Sequence, residues 1–118
     1  MNRGSFNNIV IDMNILFVCS RNKWRSRTAE TIFKKDFRHH VKSAGTNEGA
    51  KIKLTERHLT WADIVFVMEN KHKQRIKDKF GLQFYNKKII VLEIADEYDY
   101  MDVELIEILK IAVSPYLN

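Results

Sequence analysis

Apolar and polar positions fall into alternating blocks along this chain. The first block, "NILFVC" (14–19), is a short continuous apolar run, as expected of a strand buried on both faces. A polar loop follows, then "SRTAETIFKKDF", in which Ala29, Ile32, Phe33 and Phe37 share one helical face. A short second strand is expected over 40–44, closed by "SAGT", and "TERHLTWA" reads as a short helix capped by Thr55. "DIVFVM" (63–68) predicts another buried strand, and Asn70 would cap a lysine-rich helix ending near Gly81. "KKIIVLEI" makes a fourth strand, and Asp102 caps a last helix striped by Leu105, Ile106, Leu109, Ala112 and Val113. Strand and helix thus alternate four times. That order predicts an α/β fold, a doubly wound three-layer sandwich around a four-stranded parallel sheet.

Ligands in such folds bind at the carboxyl ends of the strands. Cys19 ends the first strand and Asp96 lies just past the fourth, so both reach the same sheet edge. Residues 1–12 read as an N-terminal extension, a loose tail or an upstream start-codon choice, because Met13 directly precedes the first strand. The domain proper is then 13–118. A chain of 118 residues is of single-domain size, and one proline with four glycines argues against linkers or disorder.

A single cysteine rules out an internal disulfide and a multi-cysteine zinc site, and it fits a reducing cytoplasm. The run "NIVIDMNILFVC" carries Asp12 and two asparagines and lacks a cleavage pattern, so neither an export signal nor a membrane span is expected. None of the four histidines has metal-ligand spacing, so no metal is expected. The net charge of +5 favours anionic partners without choosing among them.

The loop "CSRNKWRS" narrows that choice. A lone cysteine ending a core strand is ordinarily inert, yet Arg21, Lys23, Arg25 and Arg27 crowd around this one. A loop running from a strand into a helix N-terminus presents successive N–H groups as a concave anion nest, and the helix adds partial positive charge. Thiols in such surroundings ionise readily, and the thiolate is the nucleophile. Ser26 can hydrogen-bond it. Arg25 offers a planar fork that fits two oxygens of a phosphoryl group. Ser20, Arg21, Asn22, Lys23 and Trp24 supply the rest of the nest and its rim. An alcohol leaving from phosphorus needs a proton, and "ADEYDYMD" supplies carboxylic acids, Asp96 and Asp99 being the two candidates.

At these residues the sequence resembles the low-molecular-weight protein tyrosine phosphatases, most closely their compact bacterial members. "ILFVCSRNKWRSRTAE" looks like the family's Cys-x5-Arg-Ser signature, and "SAGT" and "ADIVFVMENKHKQRI" stand in their usual places. The resemblance implies a phosphotyrosine phosphatase I-like fold and metal-free, cofactor-free hydrolysis through a phosphocysteine on Cys19. It makes Arg25 the phosphate clamp, Asn22 the asparagine that tolerates a left-handed backbone, and Ser26 the support of the thiolate. "DEY" at 96–98 sits where the family carries Asp-Pro-Tyr or Asp-Pro-Trp, which implies Asp96 as general acid, with Tyr98 a candidate substrate wall. Arg21 replaces the common loop glycine, Trp24 a second cysteine, Arg27 a helix-opening proline, and Glu97 the proline after the acid. Arsenate reductases share the loop, but the thioredoxin-linked kind needs two further cysteines that this chain lacks.

The expected partner is a phosphorylated protein or a small phosphate monoester. Two rival readings accompany it. The substitutions at Arg21 and Glu97 motivate a non-catalytic phosphate- or phosphoprotein-binding module. The helix "NKHKQRIKDKF", with Lys71, Arg75 and Lys79 four apart, motivates an acidic partner, or a phosphatase acting on RNA-associated protein like the RNA polymerase tail phosphatases.

Overall fold

The computed structural model describes residues 12–35 and 38–117. Four parallel strands, β1 (Asn14–Cys19), β2 (His40–Gly45), β3 (Ile64–Val67) and β4 (Ile89–Val91), form one sheet in the order β2-β1-β3-β4. Helices α1 (Arg25–Lys34), α2 (Glu56–Trp61), α3 (Asn70–Phe80) and α4 (Val103–Val113) connect and follow them. The predicted α/β architecture is therefore the observed one.

Alternation along β1 explains the two cores. Ile15 and Phe17 point to one face, where Phe17 stacks on Phe33 at 5.5 Å and on Phe66 at 5.3 Å, with Leu105, Leu109 and Val113 of α4 alongside. Leu16 and Val18 point to the other, against Leu59 of α2 and Ile76 of α3. From Ile15 to Cys19 each residue of β1 is thus buried whichever way it faces, which is why the run reads as unbroken apolar sequence.

Several boundaries differ from the sequence expectation. Glu69, not Asn70, is the N-cap of α3, and its capping box uses the His72 ring. Thr55 caps α2 and Asp102 caps α4 as expected, Asp102 accepting from the N–H groups of Glu104 and Leu105. Strand β4 is only three residues long, although Leu92 and Ile94 still donate to Val67 and Met68. Phe37, and the extension apart from Asp12, lie outside the described residues.

The strand order sets the location of the site. The chain leaves β1 toward α1 on one face and β3 toward α3 on the other, so a crevice opens between the carboxyl ends of these adjacent strands.

Candidate active site

The turn out of β1 is clamped from outside. The carbonyls of Cys19, Ser20 and Arg21 accept from the N–H groups of Thr46, Asn47 and Lys51 at 3.0, 2.9 and 3.0 Å. Among the described residues, no N–H of residues 21–24 donates to another protein group, so the loop keeps its amides for an outside acceptor. Gly45 makes the clamp feasible. A Cβ there would stand 2.6 Å from Ser20 O, 2.9 Å from Asn22 N and 2.6 Å from the Ala50 Cβ, so only glycine lets β2 approach the loop this closely.

Asn22 turns the loop with a φ of 57°, the left-handed region that asparagine tolerates. Arg21 is not among the left-handed residues, so a side chain there costs no backbone strain. Asn22 is fully buried, and its Nδ2 donates to Ser26 Oγ at 2.8 Å and Ser43 Oγ at 2.9 Å. Ser26 Oγ lies 3.0 Å from Cys19 Sγ. With Asn22 occupying one of its lone pairs, the Ser26 proton is available to the sulfur.

Arg25 is the first residue of α1 and is 2% exposed. Its NH1 donates to Glu69 Oε1 at 2.5 Å and to Ile94 O at 2.8 Å, which uses both NH1 protons. The Nε–H and NH2 groups, the fork suited to two oxygens, remain for a ligand. Asp96 Oδ1 stands 3.7 Å from Nε. Glu69 feels opposed influences: burial alone raises its pKa, but the Arg25 hydrogen bond and charge win and hold it below the usual carboxylate range.

His72 is also fully buried, and burial with the nearby Arg25 charge lowers its pKa to about 4. Its Nδ1 accepts from Glu69 N at 3.0 Å, so the neutral ring carries its proton on Nε2, 2.8 Å from Ser20 Oγ. Ser20 therefore receives that proton and keeps its own hydroxyl hydrogen for the loop interior.

Cys19, Ser20, Arg21, Lys23, Trp24, Arg25 and Asp96 line one pocket, its thiol only 3% exposed. Asn22 and Ser26 lie beneath it rather than in it. Asp99 and Tyr98 are not in the lining. Tyr98 packs against the α1/α4 core and its hydroxyl lies 3.4 Å from Glu104. The neighbouring Tyr100 bonds Thr31 at 2.8 Å under the Arg27 guanidinium, and Met101 N donates to Thr28 Oγ1 at 2.9 Å. The segment carrying Asp96 is thereby pinned to α1. Glu69 and His72 form part of the site without having been singled out from sequence, while Ser43 and Gly45 stood out only within "SAGT", with no role attached. The one available signal was spacing: His72 falls four residues from both Met68 and Ile76, on the buried face of α3.

A buried thiol beside an arginine fork and a carboxylate is an arrangement suited to phosphoryl transfer through cysteine. Residues 14–58 match the family model described as low molecular weight phosphotyrosine protein phosphatase. No curated protein matches the sequence. Among solved structures, a mutant of YwlE from Bacillus subtilis is similar at 26% identity and TM-score 0.67, over 90% of this chain and 99% of that one. The tyrosine phosphatase Wzb from Escherichia coli K30, in complex with phosphate, shares the fold at 20% identity and TM-score 0.73, over 88% and 95% of the two chains. YwlE arginine phosphatase from Geobacillus stearothermophilus does so at 24% and 0.63, over 89% and 86%. Over residues 14–58 the chain is thus similar to the low molecular weight phosphotyrosine protein phosphatases, and over most of its length it shares the fold of these solved structures. No helix among the described residues is long and apolar enough to cross a membrane.

Proposed function

We propose that the protein hydrolyses phosphate monoesters on phosphorylated protein in the cytoplasm, with Cys19 as nucleophile, Arg25 as phosphate clamp and Asp96 as general acid. The observation that carries this reading is the convergence of these three side chains, from the first strand, the first helix and the segment after the last strand, on one small pocket. The Cys19 sulfur attacks phosphorus as the ester P–O bond breaks, and Asp96 gives its proton to the departing oxygen. The loop amides and the free fork of Arg25 hold the phosphoryl oxygens meanwhile. Water then attacks the phosphocysteine, Asp96 accepts the water proton, and phosphate leaves with the thiolate restored.

The buried thiol favours a long phosphorylated side chain, because a short one would not carry its phosphate to the pocket floor. Tyrosine fits, with Trp24 as the aromatic surface. Phosphoarginine is the second reading: Glu93, Asp96, Glu97 and Asp99 are exposed along the segment after β4, where a cationic leaving group would be welcome, and one structural neighbour is an arginine phosphatase. Peptides carrying each phosphorylated residue, compared by kcat/KM, decide between them.

The role of Asp96 has its own test. Asp96→Asn is expected to slow esters with poor leaving groups by about 10²- to 10⁴-fold, the usual worth of general acid catalysis, and p-nitrophenyl phosphate far less. Equal loss on both substrates would remove Asp96 from this role.

A further inference from the structure

Ser20 and His72 meet beside the pocket and have no part in the steps above. Ser20 is half-buried and lines the pocket with Cys19 and Arg25. Its backbone is already committed, since Ser20 O accepts from Asn47 N at 2.9 Å. Its hydroxyl has one partner among the described residues, His72 Nε2 at 2.8 Å. His72 stands in the first turn of α3 and is fully buried.

The backbone fixes the direction of that hydrogen bond. Glu69 N donates to His72 Nδ1 at 3.0 Å, and a ring nitrogen that accepts a hydrogen carries none of its own. Burial, then the Arg25 charge, lower the His72 pKa to about 4, so the ring is neutral at neutral pH and holds its one proton on Nε2. Nε2 therefore donates and Ser20 Oγ accepts. The reverse arrangement would set a ring N–H against the Glu69 N–H. A hydroxyl has a single hydrogen, and that of Ser20 meets no acceptor among the described residues. Glu69 thus governs two donors at the pocket. Its carboxylate holds Arg25 NH1 at 2.5 Å, and its amide fixes the ring that fixes Ser20.

We propose that the Ser20 hydroxyl donates to an oxygen of the bound phosphoryl group, beside the loop amides and the Arg25 fork, and that His72 is the positioning residue that aims it. The inference deepens the proposed function and rests on it for the identity of the ligand. A donor held in place before the ligand arrives needs no reorganisation as charge builds on the phosphoryl oxygens. The Ser20 O–H bond stays intact throughout, so no proton is added to the steps already described.

The test uses the full chain, with inorganic phosphate as the probe. Its Kd is read by calorimetry, beside p-nitrophenyl phosphate hydrolysis. Ser20→Ala is expected to weaken phosphate about tenfold, the low end for a hydrogen bond to a charged group, and to lower kcat/KM at least as much. Ser20→Thr, which keeps a hydroxyl, should recover most of both. His72→Asn keeps an acceptor for the Glu69 N–H but does not reach Ser20, and it should weaken phosphate about fivefold, the scale of one neutral hydrogen bond. His72→Gln extends an amide toward Ser20 and should lose less. In the Ser20→Ala background His72→Asn should cost nothing further, because the hydroxyl it aims is gone.

Unchanged phosphate affinity in Ser20→Ala, or equal loss in Ser20→Ala and Ser20→Thr, overturns the proposal, whether or not the His72 variants fold. Additive losses from Ser20→Ala and His72→Asn overturn the role of His72, since a purely structural histidine would behave in that way. A wild-type protein that shows these differences in phosphate affinity yet hydrolyses nothing would remove the catalytic reading and leave the Ser20 donor standing.

Discussion

His72 shows how one buried side chain ties the cysteine loop to the rest of the sheet edge. Its Nδ1 takes the Glu69 N–H and its Nε2 faces Ser20, so a second ring proton would displace one of these contacts. The pKa near 4 lies below the ordinary value of 6.5, through burial first and the Arg25 charge second, with Glu69 opposing and Lys71 and Arg75 adding to the effect. Below pH 6.5 the unfolded chain takes up a proton there that the folded chain refuses. The stability owed to this residue is therefore complete above the unfolded value and is lost as pH falls toward 4. Urea midpoints should decline between neutral pH and about pH 5, with roughly 1–2 kcal/mol of the loss absent from His72→Gln. Parallel pH profiles for wild type and variant would contradict this. Sequence alone brought out Cys19, Arg25 and Asp96 as candidates, the first two from the spacing within one loop and the third from its place after the last strand. Glu69 and His72 stayed hidden because their role depends on β3 lying next to β1, a pairing that no local spacing encodes.

At the scale of elements, the site depends on how closely β2 comes to the loop after β1. The hydrophobic blocks gave the order of strands and helices, since burial on both faces erases alternation in β1 and β3 and leaves it in the helices. They could not give the ends. The N-cap of α3 fell on Glu69 rather than Asn70 because the His72 ring and the Glu69 backbone complete a capping box. Nor did "SAGT" disclose why its glycine matters: the constraint comes from Ser20 and Asn22, over twenty residues earlier. Gly45→Ala must push backbone rather than a flexible side-chain end. It is expected to cost about 1–3 kcal/mol in stability, the range for overpacking a filled site, together with a large loss of phosphatase activity. Thermal denaturation and p-nitrophenyl phosphate kinetics on the same sample would check both. An unperturbed variant would mean the clamp is looser than its contacts indicate.

The whole molecule separates its charges by function. Cations gather on the cysteine loop and α3, and carboxylates gather in the segment after β4, with the pocket between them. Arg27, standing where the family usually has proline, lies over the Tyr100 ring and helps hold the acidic segment on α1. The segment that carries Asp96 is thereby held by contacts outside the pocket. The proposed function requires this assembly to turn over phosphate esters through its one thiol. Hydrolysis of p-nitrophenyl phosphate at mildly acidic pH with EDTA present, wild type against Cys19→Ser, tests it most directly. Turnover that survives EDTA and disappears in Cys19→Ser is the predicted result. A wild-type protein that turns over nothing, yet is protected by phosphate against thermal unfolding, would contradict it and leave a phosphate-binding module in its place.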